Sequence, residues 1–306
     1  MKEKLVGMLM GGHNSEHEVS LKTGAALAAA LRRRGYRVEE IVVAENLPRV
    51  LLEVGVQVAF VALHGRWGED GCVQGLLESM RIPYTGCGVL AAALSMDKVF
   101  SKKLFRQEGL PLAEDVVLGG EQWRDCTAAD LPFGLPVVVK PSREGSSVGV
   151  AIVRREQDLA AALQAAAGLA GDVLVERYVA GREISVAVLD GRVLGAIEIR
   201  PQREFYDYTA KYESGGTTGY LFPAPLEPGQ QQQAGRLAEI AYRALGCRGV
   251  SRVDLLLDQQ GRFVVLEVNT IPGMTEASLV PKIAQGVGIS FDELAERLLL
   301  GAALKA

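Results

Sequence analysis

The sequence predicts an α/β fold with a parallel sheet in its first third, passing into hairpin-built mixed structure beyond. Two observations carry this: strand, loop and helix patterns alternate up to residue 63, and two strong strand-turn-strand patterns fall after residue 180. Alternating βαβ units favour parallel sheets with ligand loops at the strands' C-terminal ends. At 306 residues the chain can hold two domains or three small ones. With 48% hydrophobic residues, 23% charged and a net charge of -4, it gives no reason to expect a nucleic-acid or membrane partner. Cys72, Cys87, Cys126 and Cys247 are scattered without metal-ligand spacing, which suits unpaired thiols in a reducing cytoplasm. Only Leu5 to Met10 is apolar near the start, too short for a signal segment or a membrane span.

Each element follows from local pattern. Leu5 to Met10 reads as a strand, Ser20 to Arg34 as a helix closed by Gly35, Val38 to Val43 and Val56 to Leu63 as strands, and Pro48 to Val54 as helical. Loops at strand ends, residues 11–20 and 63–71, are rich in Gly, His, Glu and Asp, but neither is GxGxxG, so a nicotinamide site lacks its fingerprint. The basic run Arg32-Arg33-Arg34 suits a helix C-terminus and needs no partner. Trp67 and Trp123 read as packing residues, and His17 as a loop residue. Ala91 to Gln107 is helical, and a new domain is expected near residue 96. Val137 to Pro141 is a buried strand ending on Lys140; a further strand follows, then a helix from Gln157 to Leu169 and a strand from Val173. Glu183 to Leu189 and Arg192 to Ile199, joined by Asp190-Gly191, form a hairpin. Residues 201–225 lack apolar periodicity and read as a functional loop. A helix from Gly229 to Leu245 precedes the strands Val250 to Asp258 and Arg262 to Asn269.

That last hairpin carries the strongest chemical signal. With a two-residue loop, Gln260-Gly261, Asp254 lies opposite Glu267 and Arg252 opposite Asn269, on one face; a three-residue loop breaks the alignment. Opposed carboxylates repel, so such a face calls for a cation, and oxygen-only donors suit Mg²⁺ or Mn²⁺. The plainer alternative is a solvated face with Arg252 as counter-ion. Lys140, followed by the Gly- and Ser-rich residues 142–149, reads as a phosphate grip that is not a Walker A sequence, or else as an edge lysine beside a turn. Lys98 alone would be a solvated helix charge. Glu176 and Glu183 flank Tyr178-Val179-Ala180-Gly181, where a purine and ribose could lie. Together these make an inventory for phosphoryl transfer without a P-loop.

Five segments in order resemble the D-alanine-D-alanine ligase family: Gly12-His13-Asn14-Ser15-Glu16-His17-Glu18-Val19-Ser20; Leu63-His64-Gly65 with Gly68-Glu69-Asp70-Gly71; Lys140 to Gly149; Phe205-Tyr206-Asp207-Tyr208 with Lys211-Tyr212; and Glu267 to Thr275. The resemblance runs from residue 6 to about 298. It implies an ATP-grasp fold: an N-terminal Rossmann-like domain over 1–95, a central α+β subdomain over 96–183, and a C-terminal one over 184–306 with the metal site and a lid loop. It implies that Lys98, Lys140, Ser147 and Lys211 hold ATP phosphates, with Glu176, Val179 and Glu183 on the adenine and ribose side. Asp254, Glu267 and Asn269 would bind two Mg²⁺ or Mn²⁺ ions. Glu16, oriented through Ser146 and Tyr212, would meet the first D-alanine's ammonium, with His64 beside it. Arg252 and the Gly273 backbone N–H would stabilise the oxyanion, and Ser278 and Leu279 would contact the second D-alanine. The family further implies a cytoplasmic homodimer, formed through the N-terminal domain, that supplies peptidoglycan precursor.

Three readings compete. Another carboxylate-amine ligase would keep the lysines and the metal face while losing Glu16, Ser146 and Tyr212. A D-alanine-D-lactate ligase usually has histidine where Tyr212 stands. A nucleotide-binding regulator that no longer turns over would have a damaged metal face. The glycine-rich residues 213–220 depart from a fixed family pattern.

Overall fold

In the computed structural model, residues 1–169, 171–200 and 218–305 are described. Strands β1 (Leu5–Gly11), β2 (Arg37–Val43) and β3 (Val58–Val61) form a parallel sheet in the order β2-β1-β3, as the βαβ alternation requires. Helix α1 (His17–Arg33) packs on one face of this sheet, against Met8 and Phe60, and α2 (Leu47–Val54) and α3 (Cys72–Ser79) cover the other, against Leu9 and Val61. His17 is thus the first residue of a helix rather than part of a loop, and its Nδ1 donates to the Gly12 carbonyl at 2.6 Å. Beyond β3 the edge is extended by Tyr84, bridged to Ala59 on one side and to Ala303 on the other. The chain's end therefore returns to its beginning.

The helical stretch expected from 91 to 107 divides into α4 (Val89–Met96) and α5 (Lys98–Gln107). Asp97 makes the break: its extended backbone ends α4, and its carboxylate caps α5 by accepting from the N–H groups of Val99 and Phe100. A four-stranded antiparallel sheet follows, in the order β4-β7-β5-β6, from β4 (Asp115–Leu118), β5 (Val137–Pro141), β6 (Ala151–Val153) and β7 (Val173–Arg177). Helix α6 (Leu159–Ala167) covers it, and Val137, Val139, Leu163 and Val175 fill a core of its own.

A five-stranded antiparallel sheet, β10-β9-β8-β11-β12, forms the C-terminal half from β8 (Gly181–Leu189), β9 (Arg192–Arg200), β10 (Gly219–Leu221), β11 (Val250–Asp258) and β12 (Phe263–Asn269). Strand β10 lies inside the stretch whose composition predicts only loop, and it pairs with the end of β9. Helix α7 (Pro228–Ala244) packs Leu237, Ala238 and Ala241 against Val186, Val253 and Leu255. On the other face Ala187 and Ile197 meet α8 (Leu279–Gly286), α9 (Phe291–Leu300) and residues of the N-terminal sheet and α1 in one continuous core.

Two readings of side chains change with tertiary context. Each arginine of the basic run has a partner: Arg32 with Glu40, Arg33 with Asp292, and Arg34 with Glu296. The last two tie α1 to α9, a partnership 260 residues away in sequence that no local pattern reports. Trp67 is 59% exposed and does not pack, whereas Trp123 borders the central core.

Candidate active site

The carboxylate hairpin pairs as expected, with Arg252 opposite Asn269 and Asp254 opposite Glu267, but by a different route. Its loop is Gln259-Gln260-Gly261, three residues long: the Asp258 N–H donates to the Arg262 carbonyl, and Gly261 takes the positive φ, +77°, that closes such a loop. That loop alone would set Asp254 against Leu266. A β-bulge restores the register, because Leu255 pairs with Val265 while Asp254 pairs with Glu267, leaving Leu266 as the extra residue. The bulge also reverses which side chains face inward. Phe263 and Val265 point into the core under α7, and so does Val268, three positions on; Glu267 and Asn269 are turned out to the cavity face. Strict alternation would have driven both polar groups into hydrocarbon.

Two cavities meet over this face. One, of about 500 Å³, lies between the two antiparallel sheets and is lined by Lys98, Lys140, Ser147, Glu176, Val179, Glu183, Asp254 and Glu267 among others. The second, of about 290 Å³, opens toward the N-terminal sheet and is lined by Glu16, His64, Arg252, Asn269, Gly273, Ser278 and Leu279 among others. Lys98, Glu144, Gly145, Ser146 and Glu267 line both, so the two share a wall. Lys211 and Tyr212 lie outside the described residues.

In the larger cavity the buried charges are paired. Lys140 Nζ sits 2.7 Å from Glu176 Oε2, and Lys102 Nζ 2.5 Å from Glu176 Oε1. Burial works to raise the Glu176 carboxyl, yet Lys140 and Lys102 outweigh it and hold it below the ordinary carboxylate range. Lys98 Nζ donates to the Glu144 carbonyl at 2.7 Å and lies 3.4 Å from Glu267 Oε2. The loop 142–149 is docked at the break between α4 and α5: Arg143 Nε donates to Asp97 Oδ2 at 2.6 Å, and the Lys98 N–H to the Ser142 carbonyl at 2.9 Å. Ser146 and Ser147 sit at φ +49° and +60°, a conformation that costs non-glycine residues energy and marks a backbone shaped for contact.

In the smaller cavity charge is suppressed instead. The His64 ring is buried: Nδ1 donates to the Ile271 carbonyl at 2.9 Å, and Nε2 stands 3.0 Å from the Thr23 hydroxyl. Burial pushes its pKa down to about 4, so the imidazole is neutral, one nitrogen donating and the other accepting from Thr23. Both ring nitrogens are thus satisfied by protein, even though the ring lines the cavity. Glu69, which the sequence reading left without a role, accepts from the Gly65 N–H at 2.9 Å and the Ile271 N–H at 3.3 Å. Burial, then the charge of Glu16, push its pKa up to about 8. His64 and Glu69 together grip both backbone groups of Ile271 and so fix the segment leading to Gly273. Glu16 accepts a hydrogen bond from the Ser146 hydroxyl, joining the N-terminal domain to the loop of the central sheet.

The metal face fits a hard divalent cation. Asn269 Oδ1 is buried without a hydrogen-bond partner, the kind of orphaned acceptor a cation would satisfy, and Asp254 and Glu267 add carboxylate oxygens beside it. Asp254 also accepts from Ser185 at 2.5 Å and from Arg252 at 2.8 and 2.9 Å, so Arg252 serves as its local counter-ion. Among the described residues no group of three His, Cys, Asp or Glu side chains could hold a metal, and the third donor here is an amide.

Glu69 and Tyr220, which line the smaller cavity, and Lys102, which lies behind the larger one on Glu176, are residues that sequence reasoning missed. Lys102 could have been found from its spacing: it lies four residues after Lys98 and so on the same face of α5. Glu69 stood within a quoted motif, but nothing local told of its burial.

Two antiparallel sheets closing on a lysine-lined cavity, beside an opposed-carboxylate hairpin, define an ATP-grasp protein. A family model described as D-ala D-ala ligase C-terminus matches residues 104–300, and one described as D-ala D-ala ligase N-terminus matches residues 48–87. The chain is 56% identical over 303 residues to a D-alanine–D-alanine ligase of Anaeromyxobacter sp. (strain Fw109-5), covering 99% of this chain and 98% of that one. It is 51% identical over 306 residues to the ligase of Geotalea uraniireducens (strain Rf4), covering 100% of this chain and 97% of the relative. The crystal structure of the Bacillus anthracis D-alanine–D-alanine ligase complexed with ATP superposes with a TM-score of 0.85 at 34% identity, over 97% of each chain. This chain belongs to the D-alanine–D-alanine ligase family. Among its described residues no helix is long and apolar enough to cross a membrane.

Proposed function

We propose that this protein joins two D-alanine molecules into D-alanyl-D-alanine with hydrolysis of ATP to ADP and phosphate, supplying a peptidoglycan precursor in the cytoplasm. The observation that carries the reading is the shared wall: the lysine-lined cavity and the Glu16 cavity meet at Lys98, Ser146 and Glu267, where a phosphoryl group could pass from one occupant to the other. ATP occupies the larger cavity, its phosphates held by Lys98, Lys140, the loop at Ser147 and Lys211, with Val179 and Glu183 toward adenine and ribose. Glu176 lies on the same adenine and ribose side and also pairs with Lys140. The first D-alanine binds with its ammonium on Glu16, which Ser146 and Tyr212 orient. One carboxylate oxygen of that D-alanine attacks the γ-phosphorus, the bond to the β,γ-bridging oxygen breaks, and ADP departs, leaving D-alanyl phosphate. The second D-alanine, held by Ser278 and Leu279, attacks the acyl carbon with its amine lone pair. It loses a proton, and phosphate leaves. Arg252 and the Gly273 N–H lie on the cavity that would hold the tetrahedral oxyanion, a donor role worth roughly 3 to 4 kcal/mol in comparable sites.

Asp254, Glu267 and Asn269 would hold Mg²⁺ or Mn²⁺, which supplies charge neutralisation on the phosphates when bound. His64 serves as a positioning residue for the Gly273 segment. Residues 1–95, 96–183 and 184–306 are the three functional units, and the assembly is a homodimer. Phosphate release, with the product identified by mass, tests the reading with ATP and Mg²⁺ plus D-alanine, L-alanine, or D-alanine with D-lactate. Release with D-alanine alone and formation of the dipeptide is expected. Absence of release from every mixture would move the assignment to another ATP-grasp substrate.

A further inference from the structure

The ion cluster behind the larger cavity contains a lysine that reaches no cavity itself. Lys102 is 3% exposed, on the inward face of α5, one turn after Lys98. Its ammonium is saturated: it donates to Glu176 Oε1 at 2.5 Å and to the Ala113 carbonyl at 3.1 Å, and lies 3.0 Å from Asp115 Oδ1. Asp115 is shared with Arg106, at 2.6 Å. Glu176 turns its other oxygen to Lys140, whose ammonium is the last member of the chain and lines the cavity. Strands β4, β7 and β5 are neighbours in one sheet, and the cluster ties α5, the helix bearing Lys98, to that sheet and to the strand bearing Lys140.

A lysine has three donors on a flexible stem and takes whatever position its partners allow. Glu176 can hold Lys140 in place only if its own carboxylate is fixed and ionised. Cross-strand pairing sets Asp115 beside Glu176, a like-charge contact that would push the two carboxylates apart. Lys102 lies between them and binds both. We infer that Lys102 is a positioning residue for the phosphate-binding lysine: by bridging Asp115 and Glu176 it fixes the carboxylate that aims Lys140 into the nucleotide cavity. The inference rests on the proposed binding of ATP phosphates at Lys140 and goes beyond it in naming what sets that lysine's position.

Calorimetric titration of the full chain with MgATP and, separately, with adenosine tests this, because only the first ligand engages Lys140. Lys102→Met should weaken ATP binding by roughly tenfold to a hundredfold, as for partners that orient a metal-ligating group, and change adenosine affinity far less. Lys102→Arg, which keeps the charge, should restore most of the loss. ATP affinity followed against pH adds a readout that a packing role would not move. Glu176 faces Lys140 from β5, Lys102 from α5 and Asp115 from β4; with Lys102 gone it keeps its proton to higher pH, so the acid-side loss of ATP affinity should begin at higher pH. Should Lys102→Met not fold, Lys102→Gln is uncharged, still polar, and carries the same comparison. Equal losses for ATP and adenosine, or unchanged affinity for both, would overturn the inference. An inactive unmodified chain that still binds ATP would count against the ligation reading alone and leave this test standing.

Discussion

The two cavities solve one physical problem in opposite ways. Both bring titratable groups out of water, where an isolated charge is costly. On the nucleotide side Glu176 is ringed by Lys140 and Lys102 and stays ionised, below its ordinary range. On the amino-acid side, His64 falls to about 4 and Glu69 rises to about 8, so burial leaves both neutral at pH 7. The difference is a counter-charge: Glu176 has two ammonium groups within 2.7 Å, while His64 and Glu69 stand 4.0 Å apart and spend their polar atoms on backbone and the Thr23 hydroxyl. Cationic order suits a cavity meant for polyphosphate. A rigid, neutral floor suits one that must fix a loop while leaving Glu16 to meet a small zwitterion.

The contrast can be broken from its paired side first. Replacing Glu176 with Leu takes the carboxylate from the buried Lys140 ammonium and leaves Lys102 with Asp115 alone, and the expected cost is about 3 to 5 kcal/mol of stability together with loss of ATP binding. Urea unfolding measures it, and a loss under about 1 kcal/mol would mean that pairing is not what keeps these charges buried. Next in size is the acid response of the neutral side. His64 titrates near 4 in the folded chain against an ordinary 6.5, so the unfolded chain takes up the proton first as pH falls. Its contribution is complete above pH 6.5 and lost on the way down to about 4, a swing of about 3 kcal/mol. Glu69 works in the other direction, its contribution being full below pH 4.5 and lost by about 8. The measurement is therefore a difference: the stability gap between the unmodified chain and His64→Gln should shrink by about 3 kcal/mol between pH 7 and pH 4. A gap that stays constant would show that His64 is protonated without penalty.

Smaller effects sharpen the contrast. Gly65 stands at φ +68°, and a Cβ there would lie 2.3 Å from Glu16 Oε2. Gly65→Ala should cost about 1 to 3 kcal/mol and raise the KM for D-alanine far more than that for ATP; equal changes in both would mean the two cavities are not separately built. Ser146→Ala removes the hydroxyl that Glu16 accepts from, and a loss of about 1 kcal/mol, or several-fold in the KM for the first D-alanine, is expected from steady-state kinetics.

Much of this molecule was legible in its residues. Apolar runs and Gly or Asp-Gly breaks located β1, β2, β5, the β8-β9 hairpin, α7 and the carboxylate hairpin, because hydrophobic period and turn chemistry are local properties. Resemblance over five motifs placed the family and proposed site residues that line the two cavities, apart from Lys211 and Tyr212 outside the described residues. Local pattern could not supply partners that arrive from elsewhere in the chain. The bulge at Leu266 depends on how β12 packs under α7; it offset a loop one residue longer than expected and so kept Glu267 and Asn269 on the cavity face. Whether Glu69 is an acid or a carboxylate, whether His64 has a free nitrogen, and whether Lys102 is a surface charge or the buried bridge of an ion cluster were decided only by tertiary structure. Dielectric surroundings and counter-charges are set by every element packed around a group, and sequence neighbours are a minority of those.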